Sequence, residues 1–255
     1  MSVWGKVIGG VAGFALGGPL GAMMGVMAGN IYDKKRKKSS THQGIPNQQK
    51  QYQEISNQEK QHIFALSVIT LTAKLAKADG VVTQDEIEVF KEKFKIPPNE
   101  MEQVRKIFNE AQKTAYGFES IAHQVGELFQ DNHEVLEELL NNLFYIAEAD
   151  GKISDSELKF LKTVSSIFKF DENTFQRIYQ ARLNDKESDP YKVLGVKRTD
   201  NAETIKKAWI RLTKEHHPDS LVANGMPSEF IEQATKEMSS INTAYYQIQK
   251  IRDMN

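Results

Sequence analysis

The residues best suited to chemistry lie together near the end of the chain, in the run His216-His217-Pro218-Asp219. Histidine donates or accepts hydrogen bonds, and an aspartate carboxylate accepts a charge-assisted bond from a cation. Proline disfavours helical geometry at the residue before it, so we predict that a helix ends at His217 and that a polar loop, residues 220–227, follows. The sequence offers no nucleophile paired with a base, and the run therefore indicates a binding site and not an enzyme active site.

A basic helix is predicted directly before this run. Its apolar residues recur at helical spacing and indicate a face turned toward a core: Ile205, Ala208, Trp209 and Leu212. The opposite face carries Lys206, Lys207, Arg211 and Lys214. A cationic face on one rigid helix steers and orients an acidic partner surface. We predict that these four cations form a docking site together with His217, Pro218 and Asp219.

Metal binding is a second chemistry that the sequence suggests, because residues 77–86 recur as residues 148–157. Each copy has Asp-Gly followed by Glu six residues after the glycine, as in the second half of a calcium loop. The acidic positions are Asp79, Glu86, Asp150 and Glu157. The earlier ligand positions, however, hold Leu75 and Ile146, whose side chains cannot bind calcium.

Helix caps explain the repeated turns better than a metal does. Thr83 with Glu86, and Ser154 with Glu157, have the spacing of capping boxes, in which two side chains satisfy free amides at a helix start. The glycine of each turn suits the left-handed conformation that ends the preceding helix. We therefore predict two matching helix-turn-helix units.

The beginning of the chain has the features of a membrane anchor. No charged residue occurs between Val7 and Tyr32, which is long enough to cross a bilayer as a helix. Glycine at every fourth position, from Gly5 onward, places a stripe without side chains on one helix face and favours close packing of a second helix. The residues predicted to mediate self-association are Gly9, Gly13, Gly17, Gly21, Gly25 and Gly29. The basic run at residues 34–38 predicts that the rest of the chain is cytoplasmic. A glycine-rich segment without a partner and a cleaved signal peptide are the alternatives.

Composition excludes several classes of site. The chain of 255 residues has no cysteine, so it has no disulfides, thiolate metal sites or cysteine nucleophile. Its formal net charge of −1 gives no bulk attraction to nucleic acid. We predict neither a nucleic-acid partner nor a cofactor.

The chain is predicted to be all-α, because helical spacing of apolar residues recurs and no alternating strand pattern competes with it. We predict a single transmembrane helix in residues 1–33 and a basic, then polar, linker in residues 34–57. A duplicated helical domain follows in residues 58–184, and a helical hairpin in residues 189–255 ends the chain.

Four separated segments resemble a J domain in their order and spacing. They are Asp-Pro-Tyr-Lys-Val-Leu-Gly-Val from residue 189, Ile-Lys-Lys-Ala-Trp-Ile-Arg-Leu from 205, His-His-Pro-Asp from 216 and Ile-Asn-Thr-Ala-Tyr from 241. The resemblance implies that the basic helix binds the nucleotide-binding domain of a DnaK-type chaperone, and that the His-Pro-Asp tripeptide triggers ATP hydrolysis there. Ser220 stands where J domains usually have Lys or Arg. We expect no counterpart of the family's fourth helix, and we expect a helix before Asp189 to cover that surface.

Residues 58–184 resemble the TerB-like helical domain of tellurite-resistance proteins and of some membrane co-chaperones. This resemblance implies a metal-ligating role for Asp79, Glu86, Asp150 and Glu157. The order of anchor, TerB-like domain and J domain resembles the membrane-anchored DnaJ-like co-chaperones of Gram-negative bacteria.

The expected function is therefore that of a co-chaperone which activates the ATPase of a DnaK-type partner and has no enzyme activity of its own. We expect a single-pass protein of the bacterial inner membrane, with its C-terminal bulk in the cytoplasm and a homodimer formed through the transmembrane helix. One alternative is a membrane scaffold or stress sensor that acts mainly through the TerB-like domain. A metal-responsive protein is another.

Overall fold

The computed structural model describes residue 3 and residues 55–78, 90–91, 94–113, 117–148, 153–182 and 188–253. The regular secondary structure in these ranges is helical, and no strand occurs in them, so the all-α prediction is confirmed for this part of the chain. The predicted transmembrane helix and its glycine stripe lie outside the described residues. None of the helices within those residues combines the length and the apolar content needed to span a bilayer.

Ten α-helices and one 3-10 turn order the described residues. They are α1 Asn57–Ala78, α2 Met101–Ala111, α3 Phe118–Leu128, α4 His133–Ala147, α5 Asp155–Ile167, α6 Glu172–Gln180, α7 Pro190–Val193, α8 Ala202–Glu215, α9 Pro218–Ala223, the 3-10 turn Ser228–Phe230 and α10 Ile231–Asp253.

Helix α1 is the central element of the TerB-like part. Every residue from Ile63 to Ala76 is buried, because α2, α3, α4 and α5 pack around it. A helix that is buried on all sides must satisfy its own polar side chains. Ser67 and Thr70 do so by donating their hydroxyls to carbonyls one turn earlier, at 2.6 and 2.8 Å.

The internal repeat is visible in the backbone. Lys95 and Lys169 are the central residues of the similar sequences Phe94-Lys95-Ile96 and Phe168-Lys169-Phe170. Both adopt left-handed conformations, with φ of 46° and 63°. In each copy the next residue, Ile96 or Phe170, donates its amide to a carbonyl five residues earlier, at 3.4 and 3.1 Å. This is the Schellman pattern that ends a helix. The two halves of the repeat therefore end a helix in the same way.

The predicted cap of the second copy is confirmed. Ser154 accepts the amide of Glu157, and Glu157 accepts the amide of Ser154, so both parts of the capping box are present at the start of α5. The corresponding box at Thr83 and Glu86 lies outside the described residues.

The buried hydrophobic residues of the described chain form two cores. Residues of the larger core lie between residues of the smaller core in the sequence. The smaller core joins α7, α8 and α10 through Tyr191, Leu194, Ile205, Leu212, Ile241, Ala244, Tyr245 and Ile248, together with Val193. The larger core is built on α1 and also takes in four residues that follow α8, namely Leu221, Met226, Phe230 and Ala234. The segment between α8 and α10 is thus packed into the TerB-like core.

Helix α6 packs against α7, at the start of the J-domain segment. Gln180, at the end of α6, accepts the backbone amide of Asp189 through its side chain at 3.0 Å. Its backbone carbonyl accepts the hydroxyl of Ser188 at 2.9 Å. Ala181 packs against the smaller core.

Candidate docking site

Helix α8 is positioned by a cap at its start and by an apolar face along its length. Asn201 accepts the amide of Thr204 at 2.8 Å and so satisfies one free donor of the first turn. Ile205 and Leu212 are buried against α10. The apolar stripe was predicted from the sequence, and it fixes which face of α8 is left to solvent.

An aromatic stack holds the middle of α8 to α10. The rings of Trp209 and Tyr245 lie 4.4 Å apart and nearly parallel, with an angle of 7° between their planes. The indole nitrogen of Trp209 donates to the side-chain oxygen of Asn242 at 2.8 Å. A stack combined with a directed hydrogen bond limits sliding and rotation of one helix on the other.

The predicted cationic face lies on the solvent side of α8. Lys206, Lys207, Arg211 and Lys214 are all exposed. Two of them form ion pairs along the helix, Lys207 with Glu203 at 2.6 Å and Arg211 with Glu215 at 2.8 Å. Exposed pairs of this kind are weak, so an acidic partner displaces them at little cost.

An apolar side chain interrupts this face. Ile210 is 50% exposed. Among the described residues, the other exposed large hydrophobic side chains are Tyr246 at 62% and Ile251 at 39%. The position of Ile210, four residues after Lys206 and four before Lys214, places it among the cations. Apolar groups surrounded by polar ones are typical centres of protein interfaces. Ile210 was not predicted as part of this surface, although its position between Lys207 and Arg211 in the sequence could have indicated it.

The tripeptide begins a helix and does not lie in a loop. Helix α8 ends at Glu215, two residues before the predicted end at His217, and His217 has extended backbone angles of −67° and 129°. Pro218 then opens α9, so the predicted polar loop over residues 220–227 was wrong for its first half. The reason is that Pro218 suits the first position of a helix, and that Leu221 is fully buried.

The side chains of the tripeptide are held in defined orientations. The ring Nδ1 of His217 accepts the amide of Asp219 at 3.2 Å and thereby caps α9. In the neutral ring this leaves the proton on Nε2, where it can be donated outward. The side chains of His217 and Asp219 are 51% and 94% exposed. A donor and a carboxylate are therefore presented side by side next to the cationic face.

The preceding histidine, His216, is completely buried between the two parts of the protein. It ends α8, and its Nδ1 lies 2.9 Å from Oε1 of Glu138, which belongs to α4. Its Nε2 lies 3.1 Å from Oε1 of the neighbouring Glu137. No role was predicted for His216 from the sequence. Its two carboxylate neighbours belong to α4, and no local sequence pattern shows that α4 lies beside it.

Buried charges continue from His216 into a cluster. Arg177 of α6 pairs with Glu137 and also lies 3.7 Å from Glu237 of α10. Burial lowers the pKa of Arg177 and raises the pKa of Glu237, since both groups lose water. Glu138 raises the pKa of Glu237 further, whereas Arg177, His216 and Arg182 lower it.

Of the four acidic turn residues predicted as metal ligands, only Glu157 lies within the described residues. Asp79, Glu86 and Asp150 lie outside the described residues, and Glu157 is the cap of α5. Within the described ranges no group of three or more His, Asp or Glu side chains is arranged to hold a metal ion.

Comparison with known proteins gives three matches along the chain. A family model described as "Co-chaperone DjlA transmembrane domain" matches residues 1–39, one described as "Tellurite resistance protein TerB" matches 65–180, and one described as "DnaJ domain" matches 189–252. The chain therefore has a TerB domain, a J domain and a sequence similar to a co-chaperone transmembrane domain. No solved structure matches the chain.

Known proteins are similar to this chain over most or all of its length. A protein named "Co-chaperone protein DjlA" from Shewanella oneidensis is 29% identical over 269 residues, covering 100% of both chains. A protein of the same name from Photobacterium profundum is 26% identical and covers 97% of this chain and 98% of its own. A third, from Coxiella burnetii, is 27% identical over 76% of this chain and 79% of its own.

Proposed function

As this chain belongs to the DjlA family of co-chaperones, we propose that it stimulates ATP hydrolysis by a DnaK-type chaperone through its J domain. The observation that carries this proposal is the continuous exposed surface formed by the cationic face of α8 and the side chains of His217 and Asp219. The TerB-like helices contact His216, the buried residue directly before the tripeptide. The exposed surface itself stays open to a partner.

The parts of this surface have separable roles in the proposal. Lys206, Lys207, Arg211 and Lys214 attract and orient an acidic patch on the partner's nucleotide-binding domain. Ile210 is buried on contact and contributes affinity at the centre of the patch.

The tripeptide acts on the partner after docking. His217 donates from Nε2, Asp219 accepts from a cationic group, and Pro218 fixes the backbone between them. ATP hydrolysis is the chemistry of the partner, and this chain favours the partner conformation in which hydrolysis is fast.

The decisive experiment is single-turnover ATP hydrolysis by a DnaK-type chaperone in the presence of the full-length chain in detergent. We expect stimulation by the parent chain, and its loss in His217→Gln. Reversal of three cations, Lys206→Glu, Lys207→Glu and Arg211→Glu, is expected to raise the concentration needed for half-maximal stimulation.

Salt and a matched variant control this experiment. Added salt weakens attraction between exposed charges, so stimulation by the parent is expected to need more protein at high ionic strength. The control is Lys250→Glu, which changes an exposed cation on α10 away from the basic face and is expected to behave as the parent. A folded parent chain that gives no stimulation would refute the proposal and direct attention to partners of the TerB-like domain.

We further propose that the first 33 residues anchor the protein in the bacterial inner membrane, with the bulk of the chain in the cytoplasm. Self-association would occur along the stripe formed by Gly9, Gly13, Gly17, Gly21, Gly25 and Gly29. Small residues at such a stripe allow close backbone contact in lipid. Replacing Gly17 and Gly21 by leucine should convert a dimer into a monomer in sedimentation experiments in detergent, whereas Ala22→Leu, off the stripe, should not. A dimer that survives the glycine replacements would contradict this.

A further inference from the structure

The His217–Asp219 tripeptide is anchored on both sides by the TerB-like helices and not by the core of its own domain. Among the buried hydrophobic residues of the described chain, those of the smaller core end at Leu212 and resume at Ile241. The buried hydrophobic residues between them, from Leu221 to Ala234, belong to the larger core. The orientation of the tripeptide therefore depends on how this segment is seated on the neighbouring domain.

On the N-terminal side of the tripeptide, His216 provides the attachment. Its ring is fully buried, and the hydrogen bond between its Nδ1 and Glu138 measures 2.9 Å. Glu137 faces the other ring nitrogen at 3.1 Å. A hydrogen bond to a charged group in a buried position is among the stronger ones in proteins, and it fixes the ring that lies directly before His217.

On the C-terminal side, polar contacts hold the end of α9 and the turn after it. Asn224 donates to Glu134 of α4 at 2.7 Å. The side chains of Asn57 and Gln61, on α1, donate to the carbonyls of residues 222 and 226 at 3.2 and 3.4 Å. Gly225, with φ of 106°, approaches α1 so closely that an added Cβ would lie 2.9 Å from the Cβ of Lys60.

We propose that His216 is a positioning residue, through which Glu138 of the TerB-like domain holds the tripeptide in the geometry that activates the partner. This inference rests on the proposed function and deepens it, because it makes the TerB-like domain part of the J domain's working surface. The cationic face of α8 does not include His216, and its exposure does not depend on the contact between His216 and Glu138. Docking strength and activation are therefore separable.

The test compares Glu138→Leu with Glu138→Gln in the full-length chain. Leucine removes the acceptor and adds no new polar group beside the ring, whereas glutamine keeps an oxygen that accepts from Nδ1 of His216. For Glu138→Leu we expect a maximal stimulation of the partner's single-turnover ATPase lower by about 5- to 10-fold, since a hydrogen bond to a charged group contributes roughly tenfold to an equilibrium. The concentration for half-maximal stimulation is expected to stay within about twofold, and Glu138→Gln is expected to restore most of the maximum.

A second measurement is independent of the partner. Hydrogen exchange of residues 213–226, followed by mass spectrometry, is expected to become faster in Glu138→Leu, while exchange in residues 205–212 and 241–248 is expected to stay as in the parent. Glu127→Leu, which replaces an exposed glutamate on α3, is the matched control and should alter neither measurement. This pattern separates local release of the tripeptide from general unfolding.

Each possible result either supports or overturns the inference. Faster local exchange together with a lower maximum supports the inference. An unchanged maximum in Glu138→Leu, in a preparation where His217→Gln abolishes stimulation, overturns it, and so does a lower maximum with unchanged local exchange. If the parent chain itself gives no stimulation, the proposed function fails and this inference fails with it.

Discussion

Replacing Phe230 by alanine tests whether the segment between α8 and α10 is an integral part of the TerB-like core. Phe230 is 1% exposed and lies in the 3-10 turn before α10. Its ring centre is 5.0 Å from that of Phe64 on α1 and 5.0 Å from that of Phe94. Alanine at this position leaves a cavity where three aromatic rings now meet.

The expected cost follows from these contacts. Loss of a fully buried phenylalanine ring typically lowers the free energy of unfolding by about 3–5 kcal/mol, of which the aromatic pairs contribute a part. In a protein of this size, 1 kcal/mol corresponds to about 2–4 °C in Tm. We therefore expect Phe230→Ala to lower Tm by roughly 6–20 °C.

Two probes of thermal unfolding in the full-length chain distinguish the cores. Far-UV circular dichroism follows all helices, whereas Trp209, one of two tryptophans in the chain, reports the smaller core by fluorescence. Because Phe230 lies in the segment that joins α8 to α10 and packs that segment into the larger core, both signals should shift together. The control Tyr246→Ala removes a ring that is 62% exposed and should cost less than about 0.5 kcal/mol. A Trp209 transition at the parent temperature, or a total loss below about 1 kcal/mol, would refute the packing described here.

Three further predictions concern stability in urea. Burial raises the pKa of Glu237, so the native state binds a proton more tightly than the unfolded chain, and stability should fall as pH rises above the ordinary value of 4.5. Glu237→Gln should flatten this dependence above pH 4.5, and an unchanged slope would contradict the assignment. Lys169→Gly should raise the free energy of unfolding by up to about 1 kcal/mol, because a left-handed φ of 63° is unfavourable for lysine; a loss would show that its side chain matters more than its backbone. Gly225→Ala should lower the free energy of unfolding by about 1 kcal/mol or more, since the φ of Gly225 is positive and an added Cβ would meet Lys60. Unchanged stability would show that the turn at Gly225 moves away from α1 easily.

Local features of the candidate site were predictable because they depend on neighbours in the sequence. The cap at Asn201 and the end of α8 before Pro218 follow from the preferences of those residues. The exposed cations follow from the helical period once the apolar stripe is identified. The capping box at Ser154 is a further case, because its two partners are three residues apart.

The short helix α9 was not predicted, because the reason for it lies far away in the sequence. The prediction of a polar loop over residues 220–227 overlooked four apolar residues in that segment, namely Leu221, Val222, Ala223 and Met226. Leu221 and Met226 are buried in a core built on α1. The run is too short to show a helical period, so the surface that buries these two side chains could not be read from it. The role of His216 was missed for the same reason, since its partner Glu138 is 78 positions away.

The sequence by itself indicated the helical character of the described residues and the exposed cations of α8, because spacing along a helix decides both. The repeated unit and the J-domain segments were recognised from the similarity of short sequences. Only the tertiary structure decided how the two domains share a core. It placed Phe230 against Phe64, His216 against Glu138, and Arg177 between Glu137 and Glu237. The physical reason is that burial and charge pairing depend on distances in space between residues remote in the chain, and those distances exist only once the helices have packed.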